Sequence, residues 1–159
     1  YESLLVLKPG SEVRLQLACG QYDAQVRAVL EKEVEKNGWF LNPAAQIVIE
    51  AKMGQSDTQT VTYNRIGRGQ SETVAVTPFY SSLHVKVGEQ VAWSSATSTG
   101  APPMLFLREG QTAQGEISKW QNPQPGFFDT VDIPDKIIDP AKPNGLGTTE
   151  VTNRGLVVK

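Results

Sequence analysis

Two residue types that build many small functional sites are nearly missing from this 159-residue chain. It contains one cysteine, Cys19, and one histidine, His84. A single cysteine excludes an internal disulfide framework, and one residue of each type excludes the closed four-ligand zinc sites. Cys19 ends a strand pattern beside Gly20 and has no base near it in sequence. We therefore expect a buried, unreactive thiol and no metal site or cofactor.

A basic excess and long apolar runs are missing as well. Fifteen Lys and Arg face seventeen Asp and Glu, for a net charge of −2. Because surfaces that bind phosphate backbones normally carry a basic excess, we expect no nucleic-acid partner. No apolar run approaches the length of a membrane span, so we expect no direct membrane insertion by this segment. The chain begins with Tyr1, and we expect it to be a piece of a longer protein.

No catalytic motif surrounds the single histidine. His84 lies between Leu83 and Val85, so strand alternation places it with Ser82 and Lys86 on a polar face. A nucleophilic triad needs a nucleophile and an orienting carboxylate beside the base, and no Gly-x-Ser-x-Gly turn occurs in the sequence. We expect His84 to be a surface residue without a catalytic role.

Residues 11–53 predict a strand, a helix, a turn and a second strand. Apolar and polar residues alternate at 13–17 and again at 47–53, which is typical of half-buried strands. The helix begins near Asp23 and ends at Asn37-Gly38, residues that tolerate a left-handed backbone. Because a helix of about 14 residues is long enough for a crossover, the two strands can be parallel. One helix face is apolar, through Val26, Val29, Leu30 and Val34.

The following residues predict short strands without an intervening helix. Four segments rich in Thr and Val, at 58–65, 72–77, 82–87 and 90–95, are expected to pair as an antiparallel meander. Gly88-Glu89 predicts a tight hairpin, and residues 67–70 predict another turn. The apolar run 104–107 is short enough for a buried strand. Residues 148–158 have strand propensity and are expected to return to the sheet.

These elements predict one α+β domain. We expect a twisted mixed or mainly antiparallel β-sheet with one long amphipathic helix packed on one face. The predicted core domain comprises residues 1–128. Residues 129–159 form an extended Pro-rich C-terminal segment, because recurring prolines disfavour regular structure there. We expect this segment to pack on the core and to cover part of the other sheet face.

The Pro-rich segment carries four aspartates, which allow two interpretations. Carboxylates clustered in a loop can hold calcium, but the spacing does not match an EF-hand loop. Isoleucines interleave the aspartates, which favours an extended strip that packs its isoleucines on the body. The aspartates are Asp129, Asp132, Asp135 and Asp139, and the isoleucines are Ile133, Ile137 and Ile138.

Two aromatic pairs are the candidate binding residues. Phe79-Tyr80 follows Pro78, and Phe127-Phe128 follows Pro125-Gly126, so both pairs are expected in loops. Adjacent aromatic residues in a loop do not both point inward easily, and an exposed apolar pair marks a contact site for a protein or a saccharide. We predict a partner-binding site at these four residues. The alternative is that they close open ends of the core.

The sequence favours a non-catalytic binding or assembly module from a larger, bacterial-type extracytoplasmic or cell-envelope protein. This hypothesis is based on Thr-, Ser-, Gly- and Gln-rich strands, few histidines and cysteines, and the aromatic pairs. The first alternative is a small carboxylate-dependent hydrolase that uses Asp129 and Asp132, or Glu72, as acid and base. The second alternative is a structural spacer between neighbouring domains.

Overall fold

The computed structural model describes residues 2–66, 69–142, 149–152 and 155–158. Three α-helices occur in this part of the chain, α1 (Asp23–Lys36), α2 (Ala113–Trp120) and α3 (Phe127–Thr130). Short 3-10 turns precede the first strand and α1. The strands are β1 (Leu5–Leu7), β2 (Glu12–Ala18), β3 (Phe40–Leu41), β4 (Ile47–Gln55), β5 (Gln59–Asn64), β6 (Ser71–Val76), β7 (Phe79–Val87), β8 (Gln90–Ser98), β9 (Ile137–Ile138), β10 (Thr149–Thr152) and β11 (Gly155–Val158).

Five strands form the central sheet, in the order β3-β2-β4-β7-β8. The β2, α1, β4 sequence is a crossover that leaves β2 and β4 parallel, while β4, β7 and β8 pair antiparallel. A two-residue turn at Gly88-Glu89 joins β7 to β8, and Gly88 has a positive φ of 60° there. The predicted α+β class, with a mixed sheet and one long amphipathic helix on one face, is confirmed.

The predicted end of α1 is confirmed by its hydrogen bonds. The Trp39 N–H donates to Val34 O at 3.0 Å, and the Gly38 N–H donates to Glu35 O at 3.0 Å. This pair of bonds is the Schellman motif, which requires a left-handed residue that glycine supplies at φ 72°. Trp39 turns back and is buried, so the cap also adds to the core.

One continuous core lies between the sheet, α1 and the C-terminal segment. The apolar stripe of α1 faces Ile49 and Leu83 of the sheet, and Phe128, Ile133 and Ile137 belong to the same buried cluster. The C-terminal segment as far as residue 142 packs beside α1, because its isoleucines complete the core that the helix leaves open. The expected cover of the other sheet face stays a prediction, since it also concerns residues outside the described part of the chain.

Polar side chains of α1 hold the C-terminal segment in place. Glu33 Oε1 accepts a hydrogen bond from Ile133 N at 3.0 Å, and Asn37 Nδ2 donates to Ile133 O at 2.9 Å. Lys36 forms an ion pair with Asp132, which raises the pKa of Lys36 and lowers that of Asp132. The C-terminal end of α1 thus binds the backbone of a segment about 100 residues away in sequence.

Cys19 is buried as predicted. Burial, together with the carboxylate of Asp23, raises the pKa of its thiol. The Asp23 carboxylate accepts a hydrogen bond from the Cys19 N–H at 2.7 Å, which ties the end of β2 to the first turn of α1. A protonated thiol in this position behaves as a small apolar side chain.

The second face of the sheet carries polar residues of the central strands. Glu50 is buried there, with Oε1 3.0 Å from Lys86 Nζ and 3.3 Å from Lys52 Nζ. Burial by itself raises the pKa of Glu50, but the two ammonium groups outweigh it and lower the pKa below its usual value. His84 of β7 lies opposite Glu50 of β4 in the strand register, and its side chain is half-buried on this face.

Two strand pairs lie outside the central sheet. β5 and β6 form their own two-stranded sheet between β4 and β7 in sequence, so the predicted single meander is wrong for this pair. The turn predicted at 67–70 includes residues 67 and 68, which lie outside the described part of the chain. β10 and β11 pair with each other rather than with the central sheet, contrary to expectation.

No helix in the described residues is both long and apolar enough to cross a membrane.

Gly38→Ala tests the cap of α1. An L-residue at a φ of 72° is strained, so we expect a loss of about 1–2 kcal/mol in the free energy of unfolding. Urea denaturation followed by circular dichroism measures it. Gly100→Ala is the matched control, because Gly100 has no positive φ and its added Cβ meets nothing within 4 Å. Equal stability of the two variants would show that the cap does not depend on the left-handed residue.

Glu50→Gln tests the ion pairs on the second sheet face. The folded pKa of Glu50 lies below its unfolded value, so its charge stabilises the fold above about pH 4.3 and loses that effect as pH falls through the folded pKa. We expect the variant to show a shallower decline in unfolding free energy between about pH 5 and pH 3. The control is Glu31→Gln, an exposed acid on α1. Parallel pH curves for wild type and Glu50→Gln would contradict the assignment.

Candidate functional site

The β5–β6 hairpin and α2 form a second, smaller packed unit. Val74 and Val76 of the hairpin are buried against Ala113 and Ile117 of α2. Alternation along β6 places the two valines on one face, and the helical spacing of four places the two α2 residues on one stripe. The unit therefore has a small core of its own, separate from the buried cluster under α1.

Glu72 fixes the start of α2 against the hairpin. Its carboxylate accepts hydrogen bonds from the backbone N–H groups of Ala113, at 3.1 Å, and Gln114, at 3.4 Å. Thr112 caps the same helix by accepting from Gly115 N at 3.1 Å. A carboxylate at a helix N-terminus is favoured by the unpaired N–H groups and by the helix dipole. Glu72 is thus an anchor of the unit.

Gln114 covers the outer edge of β6. Its side-chain oxygen accepts from Ala75 N at 2.9 Å, and its Nε2 donates to Ala75 O at 3.1 Å. The amide imitates the peptide group of a neighbouring strand and satisfies both backbone groups that Ala75 directs away from β5. This contact fixes how α2 lies along the hairpin.

A cavity of 1170 Å³ opens between the tip of this hairpin and the segment that leads into α2. We call it the hairpin groove. Residues 62–66 and Glu72 line one side, and residues 103–113 line the other. Both signs of charge are present, with Arg65 Nη2 3.9 Å from Glu72 Oε2. Tyr63 Oη donates to Pro102 O at 2.6 Å and holds the two walls together.

Three large apolar side chains lie exposed on the lining of the groove, and we call them the rim residues. Ile66 is 94% exposed, Phe106 is 87% exposed and Met104 is 59% exposed. The run 104–107 forms no strand, so the predicted buried strand is wrong. Leu105 and Leu107 pack on the small core, and alternation turns Met104 and Phe106 outward.

Phe79 and Tyr80 were predicted in a loop, but they begin strand β7. Both are half-buried. The ring of Tyr80 lies over β4, where a Cβ added to Gly54 would come within 2.8 Å of Tyr80 Oη. The Tyr80 ring can pack on the sheet at this position because Gly54 has no side chain.

Phe127 and Phe128 likewise lie in the short helix α3 rather than in a loop. Phe128 is 2% exposed and belongs to the main core, while Phe127 is partly buried against that core. The two rings meet edge to face, with centroids 5.2 Å apart. A helical backbone separates neighbouring side chains by about 100°, so one ring points inward and the other lies along the surface.

The acids of the hydrolase hypothesis lie on different elements. Glu72 lines the hairpin groove, whereas Asp129 and Asp132 do not. Asp132 pairs with Lys36, and Asp129 lies in the first turn of α3. The described chain has no group of three His, Cys, Asp or Glu placed to hold a metal ion. Among the isoleucines between the aspartates, Ile133 and Ile137 are buried as expected, but Ile138 is 40% exposed.

The rim residues were missed in the sequence, although it contained a signal for them. All four residues of 104–107 are bulky and apolar, so an extended backbone must turn two of them away from the core whichever face is buried. Ile66 lies where the chain turns between two strands, and alternation cannot bury it there. The sequence therefore predicts exposure of each of these residues, and the tertiary structure brings them to one groove.

Glu72→Ala tests the anchoring of α2. Loss of the two hydrogen bonds at the helix start should cost about 0.5–2 kcal/mol, as for other helix caps. Hydrogen exchange at Val74 and Val76 measures the opening of the small core directly. Glu109→Ala is the control, because Glu109 is an exposed acid on the same groove lining. Unchanged exchange in Glu72→Ala would contradict the role of the carboxylate.

Comparisons with known proteins add little to this geometry. No protein-family model matches the chain, and no curated protein matches it. The chain is similar to a neuraminyllactose-binding hemagglutinin homolog from Helicobacter pylori, with 10% identity and a TM-score of 0.34, over 58% of this chain and 66% of that one. It is also similar to a minor lipoprotein from Acinetobacter baumannii, with 12% identity and a TM-score of 0.31, over 75% and 84%. At these scores the likenesses carry no argument about function.

Proposed function

We propose that this chain is a non-catalytic binding or assembly module that recognises another protein through the hairpin groove. The observation that carries the proposal is the exposure of the three rim residues on the lining of one cavity. Ile66, Met104 and Phe106 leave large apolar surfaces in water beside a cavity. A cluster of exposed apolar side chains with a polar surround is typical of a protein-interaction site.

The rim residues can contribute substantially to the free energy of binding. Complete burial of a side chain such as Phe, Ile or Met stabilises by about 1.5–3 kcal/mol. Three such residues together can supply several kcal/mol, on the scale of the few residues that dominate an interface. Phe106 is the most favourable anchor, because a large rigid ring loses little conformational entropy when it is bound.

The scaffold supports the preorganisation that such a site requires. Glu72 and Gln114 fix α2 to the hairpin, Thr112 caps the helix, and Tyr63 joins the two walls. Partner binding then orders little of the backbone, which lowers the entropic cost of association. The charged side chains of Arg65, Glu72, Arg108 and Glu109 supply the polar surround.

The hydrolase alternative has less support from the geometry. Acid–base catalysis by two carboxylates requires both groups to face one substrate across a cleft. The groove contains Glu72 of the candidate acids, and its carboxylate is occupied by the amides of α2. The spacer alternative leaves the groove and its exposed rim without a role.

We place the module in a larger bacterial-type protein outside the cytoplasm, at the cell envelope. Strands rich in Thr, Ser, Gly and Gln support this part of the proposal, as do the low cysteine and histidine counts. The aromatic pairs remain a second proposed contact surface. Phe79, Tyr80 and Phe127 are its accessible members, since Phe128 lies in the core.

The test replaces Phe106 with a photo-crosslinking phenylalanine analogue in the full chain, expressed in the source organism. We expect one abundant protein adduct. The matched control places the same analogue at Phe40, a 63% exposed phenylalanine on strand β3, away from the groove. The same adduct from both positions, or none from position 106, would contradict the proposed site.

Affinity measurements with the captured partner complete this test. Phe106→Ala should raise the dissociation constant about tenfold or more. It should leave the free energy of unfolding within about 0.5 kcal/mol, as expected for a surface residue. Phe127→Ala tests the second surface in the same assay. Binding of a saccharide array that Phe106→Ala abolishes, without any protein adduct, would replace the protein partner with a saccharide.

A further inference from the structure

The long edge strand β8 is the second surface without a partner in the described chain. It forms one edge of the central sheet and has nine residues, none of them charged, in a protein in which 20% of residues are charged. Edge strands are commonly protected by charged residues, proline or shortness, because their unpaired backbone groups attract other strands. Residues 94–98 of β8 have none of these protections, and the register shift at Ala92, between the Val85–Trp93 and Lys86–Val91 pairs, lies outside this stretch.

Two other sheet edges of the described chain are protected. β3, at the opposite edge of the same sheet, has two residues, which limits the backbone that it can offer to a partner. The outer edge of β6 is occupied by the side-chain amide of Gln114. Compared with these two edges, β8 is long and has no charged residue, which indicates that its edge is available for pairing.

The hydrogen-bond alternation identifies the groups that β8 offers. Thr99 N donates to Phe79 O at 2.9 Å, and hydrogen-bonded pairs recur at every second position of an antiparallel ladder. In the observed register, Thr97 and Ser95 therefore bond to β7. Ser94, Ala96 and Ser98 direct their N–H and C=O groups outward. No described residue forms a hydrogen bond with these outward groups.

The sequence of this edge is nearly symmetric about Ala96. Residues 94–98 read Ser-Ser-Ala-Thr-Ser. An antiparallel pairing of two copies with Ala96 opposite Ala96 brings Ser94 opposite Ser98 and Ser95 opposite Thr97. Small side chains on both faces leave the approach unobstructed, and facing Ser and Thr hydroxyls can form hydrogen bonds. Because β8 has no charge, no like charges face each other within the paired strands.

We propose that β8 pairs antiparallel with β8 of a second copy of this chain, about a two-fold axis near Ala96. The two five-stranded sheets then continue as one ten-stranded sheet. This interface differs from the hairpin groove, so a dimer presents two grooves to its partner. Main-chain hydrogen bonds supply the pairing, as in other cases of strand addition to an open edge.

The test measures the mass of the full chain by sedimentation equilibrium over a range of concentrations. We expect a monomer–dimer equilibrium for the wild type. Ala96→Lys and Ala96→Glu should each raise the dissociation constant about tenfold or more, because like charges then face each other at the axis. A mixture of the two variants should recover a heterodimer. Ala28→Lys, at an exposed residue of α1, adds the same charge elsewhere and should leave the dimer intact.

Hydrogen exchange of the wild type supplies a measurement that needs no variant. The amides of Ser94, Ala96 and Ser98 should exchange more slowly as concentration rises, while those of the β7-bonded Ser95 and Thr97 should change less. A wild-type monomer at every concentration up to about 1 mM would overturn the proposal. So would dimers of Ala96→Lys as stable as those of the wild type, or a failure of the mixed variants to associate.

Discussion

Burial of the apolar stripe of α1 is the interaction on which the rest of this structure depends. Val26, Leu30 and Val34 contact the sheet on one side and the C-terminal segment on the other. The crossover sets β2 and β4 parallel, and that pairing provides the frame to which β7 and β8 are added. The core is therefore built from both ends of the sequence, with the helix between them.

The C-terminal segment shows how polar contacts complete an apolar core. Its isoleucines supply the buried area, but an extended segment leaves backbone groups without strand partners. Glu33 and Asn37 satisfy the N–H and C=O of Ile133. An unpaired buried backbone group costs about 1–3 kcal/mol, so these two side chains determine where the segment can lie. The ion pair of Lys36 with Asp132 adds an exposed contact beside them.

The hairpin unit separates the candidate site from the main core. β5 and β6 leave the central sheet and bury Val74 and Val76 against α2, so the groove is formed by elements that the α1 core does not constrain. Gln114 and Glu72 replace strand pairing with side-chain contacts.

Local pattern predicted the elements of this protein better than it predicted their surroundings. Alternation identified β2 and β4, and the stripe with the Asn37-Gly38 stop identified α1 to its last residue. These features depend on neighbours in sequence. The loop placement of the aromatic pairs failed, since the proline and glycine before them mark turns but do not show how the next strand or helix begins.

By itself, the sequence determined the fold class, the bounds of the main helix and the buried state of Cys19, because each follows from spacing along the chain. The tertiary structure decided which face the C-terminal isoleucines cover and which strands leave the sheet. It also decided that Ile66, Met104 and Phe106 surround one groove. Those outcomes depend on contacts between residues about 40 to 100 positions apart, and local periodicity contains no information on such contacts.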